Sequence, residues 1–379
     1  MGILRKHTGI AARRVFATYL LAISFSMFVL LVIALAIDLA SHLDDVRAKA
    51  DDTGASTSAL LLPYMGYRAA DIITRLLPMA CLIGGLIAEL LRRQRLEDVI
   101  LDAAGASPSI TLGALLAVGL VTGIAQTALE GSIRPHAVAN QVKLGLGGYA
   151  ERFKSGETAP VWFLDGNRAM QAKVYRADAP ELRDVRLYEG LTESSLTSIT
   201  HATRAIPVEG NQMWRLEGIV RWQIKDGYPQ SPKRLAQMDI AFPLTSAHVQ
   251  YHGVLGFYLP YERLQELSSI AASHRSPDAE TAIVRRYAAF FLPGIFALLG
   301  ASLARVSQRG RVLAPFRLLM LGTMGYLSLV SVKVFWALGE FGEVGPIATS
   351  VIPLAIALGV SILLQLIASG YVVLRRPEA

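Results

Sequence analysis

The feature that most constrains this chain is the distribution of its apolar residues. They gather into six long runs, three before and three after a polar stretch in the middle of the chain. A helix that crosses a bilayer needs roughly 20 mostly apolar residues. Val15–Ile37, Ile72–Leu91, Ile110–Leu129, Tyr287–Leu303, Phe316–Leu338 and Ile347–Val373 meet that requirement or come close. A chain that is 53% hydrophobic and only 18% charged, with a mean hydropathy of +0.40, is not that of an ordinary soluble domain. Ala48-Lys49-Ala50 mimics a signal-peptidase site but lies past the first run and past Asp38, Asp44 and Asp45, so the first run reads as an uncleaved span.

The formal net charge of +7 does not point to nucleic acid, because Lys and Arg gather in short segments beside the runs. Arg5, Lys6, Arg13 and Arg14 precede the first run, and Arg92, Arg93 and Arg95 follow the second. Arg305, Arg309, Arg311 and Arg317 join the fourth and fifth, and Arg375 and Arg376 close the chain. Asp38, Asp44, Asp45, Asp51, Asp52, Glu340 and Glu343 occupy the opposite ends. With six spans every basic cluster falls on one side, which predicts that both termini are cytoplasmic.

The polar stretch, about Glu130 to Val284, then lies outside, and it is too long for a plain loop. From Met213 to Ile224 the pattern alternates, with Trp214, Leu216, Gly218, Val220, Trp222 and Ile224 on one face and Arg215, Glu217, Ile219, Arg221 and Gln223 on the other. Val161–Leu164, Ala169–Tyr175, Val185–Glu189 and Leu196–Ala205 read as further strands, with a hairpin turn at Asp165-Gly166-Asn167. Pro260–Ala279 carries Tyr261, Leu264, Leu267 and Ile270 at helical spacing and reads as a helix, followed by a polar turn at Ser273–Pro277 that leads into the fourth run. The expected organisation is therefore a membrane α-helical protein with an inserted external all-β domain of the jellyroll or sandwich kind. Residues 1–135 hold spans one to three, 136–282 the β domain and its short helix, and 283–379 spans four to six.

No P-loop, H-E-x-x-H or G-x-S-x-G motif is present, so nothing in the sequence supports a catalytic centre or a nucleotide site of its own. His248 and His252 make a weak pair in a segment expected not to be helical, and the lone Cys81 sits inside an apolar run, so no metal site is expected. The most informative segment is Leu90–Ser109, LLRRQRLEDVILDAAGASPS, on the basic side of the membrane. Leu96–Ala104 is predicted to form a short helix ended by Gly105. Val99 and Ala103 share one face, and Glu97, Asp98 and Asp102 are expected to present acids to a cytoplasmic partner. An interfacial helix would carry Lys and Arg on its polar face instead.

The run LLPMACLIGGLIAELLRRQRLEDVILDAAGAS resembles the second span and coupling helix of the LptF/LptG permeases at Pro78, Met79, Arg95, Glu97, Ala104 and Gly105. VWFLDGNRAMQAKVY and MWRLEGIV resemble strands of that family's periplasmic domain, and SQRGRV (Ser307–Val312) its turn between the fourth and fifth spans. Trp162, Asp165-Gly166, Trp214-Arg215-Leu216 and Ile37-Asp38 look more like LptG than LptF. The resemblance implies a multi-pass protein of a Gram-negative inner membrane with three spans, a periplasmic jellyroll and three spans. It implies a heterodimer with the paralogous permease, two copies of an LptB-like ATPase that binds the ATP, and delivery of lipopolysaccharide to LptC-like and LptA-like periplasmic proteins. On that resemblance Arg95, Glu97, Asp98, Ala104 and Gly105 would contact the ATPase. Two other readings stay open: a membrane-anchored periplasmic binding or scaffold protein, and a polytopic lipid-modifying enzyme.

Lys333 lies inside the fifth run, where a charge is a functional hypothesis by default. The family's lateral gates use spans one and five, so Lys333, with Arg47, Lys49 and Arg75, is a candidate basic rim for lipid phosphates. Snorkelling to water is the competing role for Lys333. Trp162, Trp214 and Trp222 are candidates for an apolar trough in the β domain, with core packing as the alternative.

Overall fold

A computed structural model describes residues 2–105, 107, 109–153, 156–176, 179–191, 196–208, 212–225, 228–268, 277–309, 312–313 and 315–368. It divides into two compact units, residues 1–150 with 281–379, and residues 151–280.

In the first unit, α1 (Gly2–Thr53) and α2 (Thr57–Gln94) form a long antiparallel hairpin, with Ser56 capping α2. The first helix runs well past its apolar stretch in both directions, because no proline or glycine pair interrupts it. A tight turn at Arg95-Leu96, with Leu96 at φ +56°, leads to the short helix α3 (Glu97–Ala103). Next, α4 (Ser109–Ala128) passes through a π-helical turn at Leu129–Ile133 into α5 (Arg134–Leu144). The helix therefore continues well past the Leu129 at which the third run was expected to end. A short α6 (Gly147–Arg152) follows.

The fourth expected span is broken. α9 (Pro277–Ala289) and α10 (Leu292–Ser307) meet at a bend of 55°. Pro293 has no N–H to give the Ala289 carbonyl, which explains the break. A two-residue hairpin, β8 (Gln308–Arg309) and β9 (Val312–Leu313), precedes α11 (Pro315–Glu340) and α12 (Pro346–Ala368). Among the described residues, five helical segments are long and apolar enough to cross a membrane, and six if the bent pair is one span.

α2 and α10 form the centre of this unit and pack closely on each other, with α1 and α4 also against them and α12 and α11 against α10. A side chain at Gly300 would overlap the Leu82 carbonyl, and one at Gly85 the Ala297 carbonyl, so these two glycines set the approach of α2 to α10. The outer helices show large apolar side chains to their surroundings, among them Phe25, Phe28 and Ile37 on α1, Leu116 and Ile124 on α4, and Leu319 and Leu327 on α11. Water would not tolerate that belt, and lipid does.

The second unit is an open, curled antiparallel sheet, jellyroll-like, with strands in meander order. β1 (Gly156–Asp165) to β5 (Met213–Lys225) pair in sequence through β2 (Arg168–Arg176), β3 (Glu181–Glu189) and β4 (Ser198–Pro207), and the short β6 (Tyr228–Pro229) and β7 (Lys233–Ala241) both pair with β5. Asp165 and Arg168 face each other across the expected hairpin turn, with Gly166 at φ +52°. Its core includes Met170, Leu182, Leu187, Trp214, Leu216 and Phe242. The alternation expected along β5 fails at Gly218, whose φ of +64° shifts the phase, so that Ile219 is buried. The strand β7 had no counterpart in the sequence reading. α7 (Ser246–Gln250) makes helical a segment expected not to be, and α8 (Tyr261–Ser268) forms the first part of the helix expected after Pro260, while the rest of that helix and most of the expected turn at Ser273–Pro277 lie outside the described residues.

Candidate functional site

Two clusters of buried charge lie at opposite ends of the helical unit. The first surrounds α3. Arg92, at the end of α2, is fully buried. It donates to Glu89 Oε2 at 3.0 Å, to Asp98 Oδ1 at 2.7 Å and to Thr111 Oγ1 on α4 at 3.2 Å, and its Nε lies 3.6 Å from Glu97 Oε2. Glu89, also fully buried, accepts from Arg305 of α10 at 2.5 Å and from the Tyr19 phenol of α1. Arg305 reaches on to Gln365 of α12 at 2.8 Å. Arg14 of α1 sits 3.4 Å from Glu97.

This geometry turns α3 over relative to the sequence reading. Glu97 and Asp98 were expected to present acids outward. Their side chains are instead 12% and 28% exposed and fasten the helix to Arg92. The outward residues are Val99 and Ile100, at 60% and 62% exposure, with Arg95, Ala103, Ala104 and Gly105 also at the surface. The reason is that a buried guanidinium draws the nearest carboxylates. Burial and the neighbouring Glu89 carboxylate push the Asp98 carboxyl above its usual range, against the pull of Arg92. Gly105 ends α3 with φ +68°, as its sequence position suggested. The side chain of Asp102 and residues Ala106 and Pro108 lie outside what the structure describes.

At the other end, Asp71 of α2 is buried and accepts from Arg134 Nε of α5 at 2.7 Å, Arg68 at 3.1 Å, Arg75 at 3.2 Å and the Tyr149 phenol at 2.7 Å. Arg68 also donates to Asp38 of α1 at 2.6 Å. Glu130, in the π turn, lies 2.8 Å from Arg285 of α9 and 3.8 Å from Arg134, and Arg285 stacks over Trp336 of α11. π turns within helices are frequent at functional positions.

The four basic residues expected to form a rim do not gather into one. Lys333 is exposed on α11, and Arg75 donates to Asp71 of its own helix. Arg47 and Lys49 stand elsewhere. Counting along the hairpin from the Asp38–Arg68 bond, Arg47 and Arg75 lie on the order of 20 Å apart. Arg47 pairs with Asp44 at 3.5 Å, and the Lys49 ammonium lies over Gly145. In the β unit Trp214 is completely buried and donates to the Leu244 carbonyl at 2.7 Å, so it is core, while Trp162 is exposed and stacks on Tyr188. His248 bonds Thr245, and among the described residues no three His, Cys, Asp or Glu side chains come close enough to hold a metal.

A family model described as lipopolysaccharide export system permease LptF/LptG matches residues 13–366. The chain belongs to the LptF/LptG family. A search of curated proteins found no match. Family membership makes it a lipopolysaccharide export permease and a multi-pass inner-membrane protein that works within an export complex. The match embraces both buried clusters, neither of which the sequence reading assembled. The signal was present: Asp71 lies three and four residues from Arg68 and Arg75, Glu89 three and four from Arg92 and Arg93, and Glu130 four from Arg134. All three acids stand at or near the ends of apolar runs.

Proposed function

We propose that this permease is one half of the membrane pathway of an ABC-type lipopolysaccharide exporter, LptG-like rather than LptF-like, with a separate LptB-like ATPase docked on α3. Both termini and α3 are cytoplasmic and the β unit is periplasmic in this reading. A paralogous permease completes the pathway, and LptC-like and LptA-like proteins receive the lipid. The observation that carries the proposal is α3 itself. It is a short helix anchored from behind by a buried arginine, and it presents Val99 and Ile100 outward where the positive-inside bias places cytoplasm. Extraction of several acyl chains, at roughly 0.8 kcal/mol per buried CH₂, needs an external energy source, and no P-loop exists in this chain. Lys333 and Arg75 are the residues we assign to lipid phosphate, and Arg95, Glu97, Asp98, Ala104 and Gly105 belong to the α3 segment that holds the ATPase. Of these, Glu97 and Asp98 act from behind, by holding Val99 and Ile100 in place.

The test is affinity purification of the complex in mild detergent with Val99→Asp and Ile100→Asp together. We expect the ATPase to be lost while the paralogous permease stays bound. Full ATPase recovery with the double variant sinks the docking assignment.

A further inference from the structure

The cluster behind α3 does more than hold that helix. We propose that Glu89 is a positioning residue through which displacement of α3 is passed to α1, α10 and α12. The proposal rests on the docking of an ATPase at α3.

Consider what Glu89 joins. It lies in α2 with no exposed surface, and its two carboxylate oxygens take donors from three helices: Tyr19 of α1, Arg92 of α2 and Arg305 of α10. Arg305 carries the connection to Gln365 of α12, and Arg92 carries it to Asp98 of α3. An arrangement of this kind is poorly explained by stability, because apolar side chains of similar volume hold helices together as well or better. Ionisable groups retained inside a span are functional by default.

Charge balance gives the coupling its direction. Glu89, Glu97 and Asp98 face Arg92, Arg93 and Arg305, and Arg14 reaches Glu97 from the surface, three acids against four guanidinium groups. Two of the acids belong to α3. When α3 is drawn away, Arg92 loses Glu97 and Asp98 and keeps Glu89 of its own helix. It must take more of Glu89, and Arg305 must take less. Movement of α3 thereby loosens α10 and α12 from α2.

The experiment uses the complete complex in proteoliposomes, with Glu89→Gln in this chain. Glutamine keeps the volume and one acceptor but removes the charge that Arg92 and Arg305 share. Complex assembly, ATP hydrolysis and lipid delivered per ATP are measured together. Spin labels at Ala103 on α3 and Leu366 on α12, both exposed, report the change in their separation on nucleotide trapping. We expect normal assembly and hydrolysis, a roughly ten-fold fall in lipid delivered per ATP, typical of coupling between sites, and a smaller nucleotide-dependent change in label distance. Unchanged delivery per ATP, or a parallel fall in delivery and hydrolysis, overturns the relay. Should Glu89→Gln fail to assemble, Arg305→Lys keeps the charge on a shorter reach. A reduced delivery per ATP then supports the relay and a normal one overturns it. Absence of an ATPase from the wild-type complex overturns the docking reading and the relay with it, whereas its presence alongside unchanged coupling overturns the relay alone.

Discussion

Asp71→Asn is the sharpest test of how the end of the helical unit opposite α3 is held. Asp71 is the shared acceptor of Arg68, Arg75, Arg134 and Tyr149. Asparagine keeps the shape and one acceptor oxygen but leaves Arg134, only 2% exposed, facing a neutral amide. Breaking a buried ion pair by removing one partner destabilises by about 3–5 kcal/mol. Glu130, 3.8 Å from Arg134, supplies partial compensation, which favours the lower end of that range. At roughly 2–4 °C per kcal/mol for a unit of this size, the apparent Tm in detergent should fall by on the order of 10 °C. Arg75→Gln is the control. Its side chain is 42% exposed, and a pair open to solvent is worth about 1 kcal/mol or less, so its shift should be a few degrees at most. The assay is tryptophan-fluorescence melting of the purified complex at matched detergent concentration. An Asp71→Asn melt within about 2 °C of wild type, or an equal loss for Arg75→Gln, refutes the account of Asp71 as the centre of this cluster.

Gly300→Val should abolish a monodisperse complex in size-exclusion chromatography, because even a Cβ would overlap the Leu82 carbonyl and force α10 away from α2. Lys333→Glu should assemble normally yet transport lipopolysaccharide in vesicles far less than Lys333→Ala, since an acid would repel phosphate where the alanine merely omits an attraction. Equal, near-normal transport by both leaves Lys333 as an interfacial anchor.

The sequence was most legible where one physical preference acted alone. Apolar run length placed the spans, alternation placed the first half of β5, and shorter strand-like runs placed β1 to β4, because lipid and a half-buried sheet each impose a single period. It was least legible where local backbone geometry intervened. Gly218 carries no mark of its positive φ in the residue pattern, yet it moved Ile219 from the outer face to the core. The strand β7 is almost wholly exposed, so KRLAQMDIA shows no clean alternation to read. The break before Pro293 is written in the sequence, but its size of 55° is not, since a missing N–H frees the backbone without setting the angle.

The charges carry a different lesson. Read along the chain, Arg92 and Arg93 are orientation signals and Glu97 and Asp98 are a polar face. Read in space, Arg92 has no access to water and converts those acids from outward recognition groups into inward anchors. The positive-inside bias treats basic residues as free in water and says nothing of one that is buried. Arg92 lies over the ring of Tyr19 and donates to its phenol at 3.4 Å, and Tyr19 is on another helix far along the chain. Outward acids would have invited a basic partner surface. Val99 and Ile100 outward instead ask for an apolar groove, with the electrostatic contribution kept inside the permease, where a movement of α3 must disturb it.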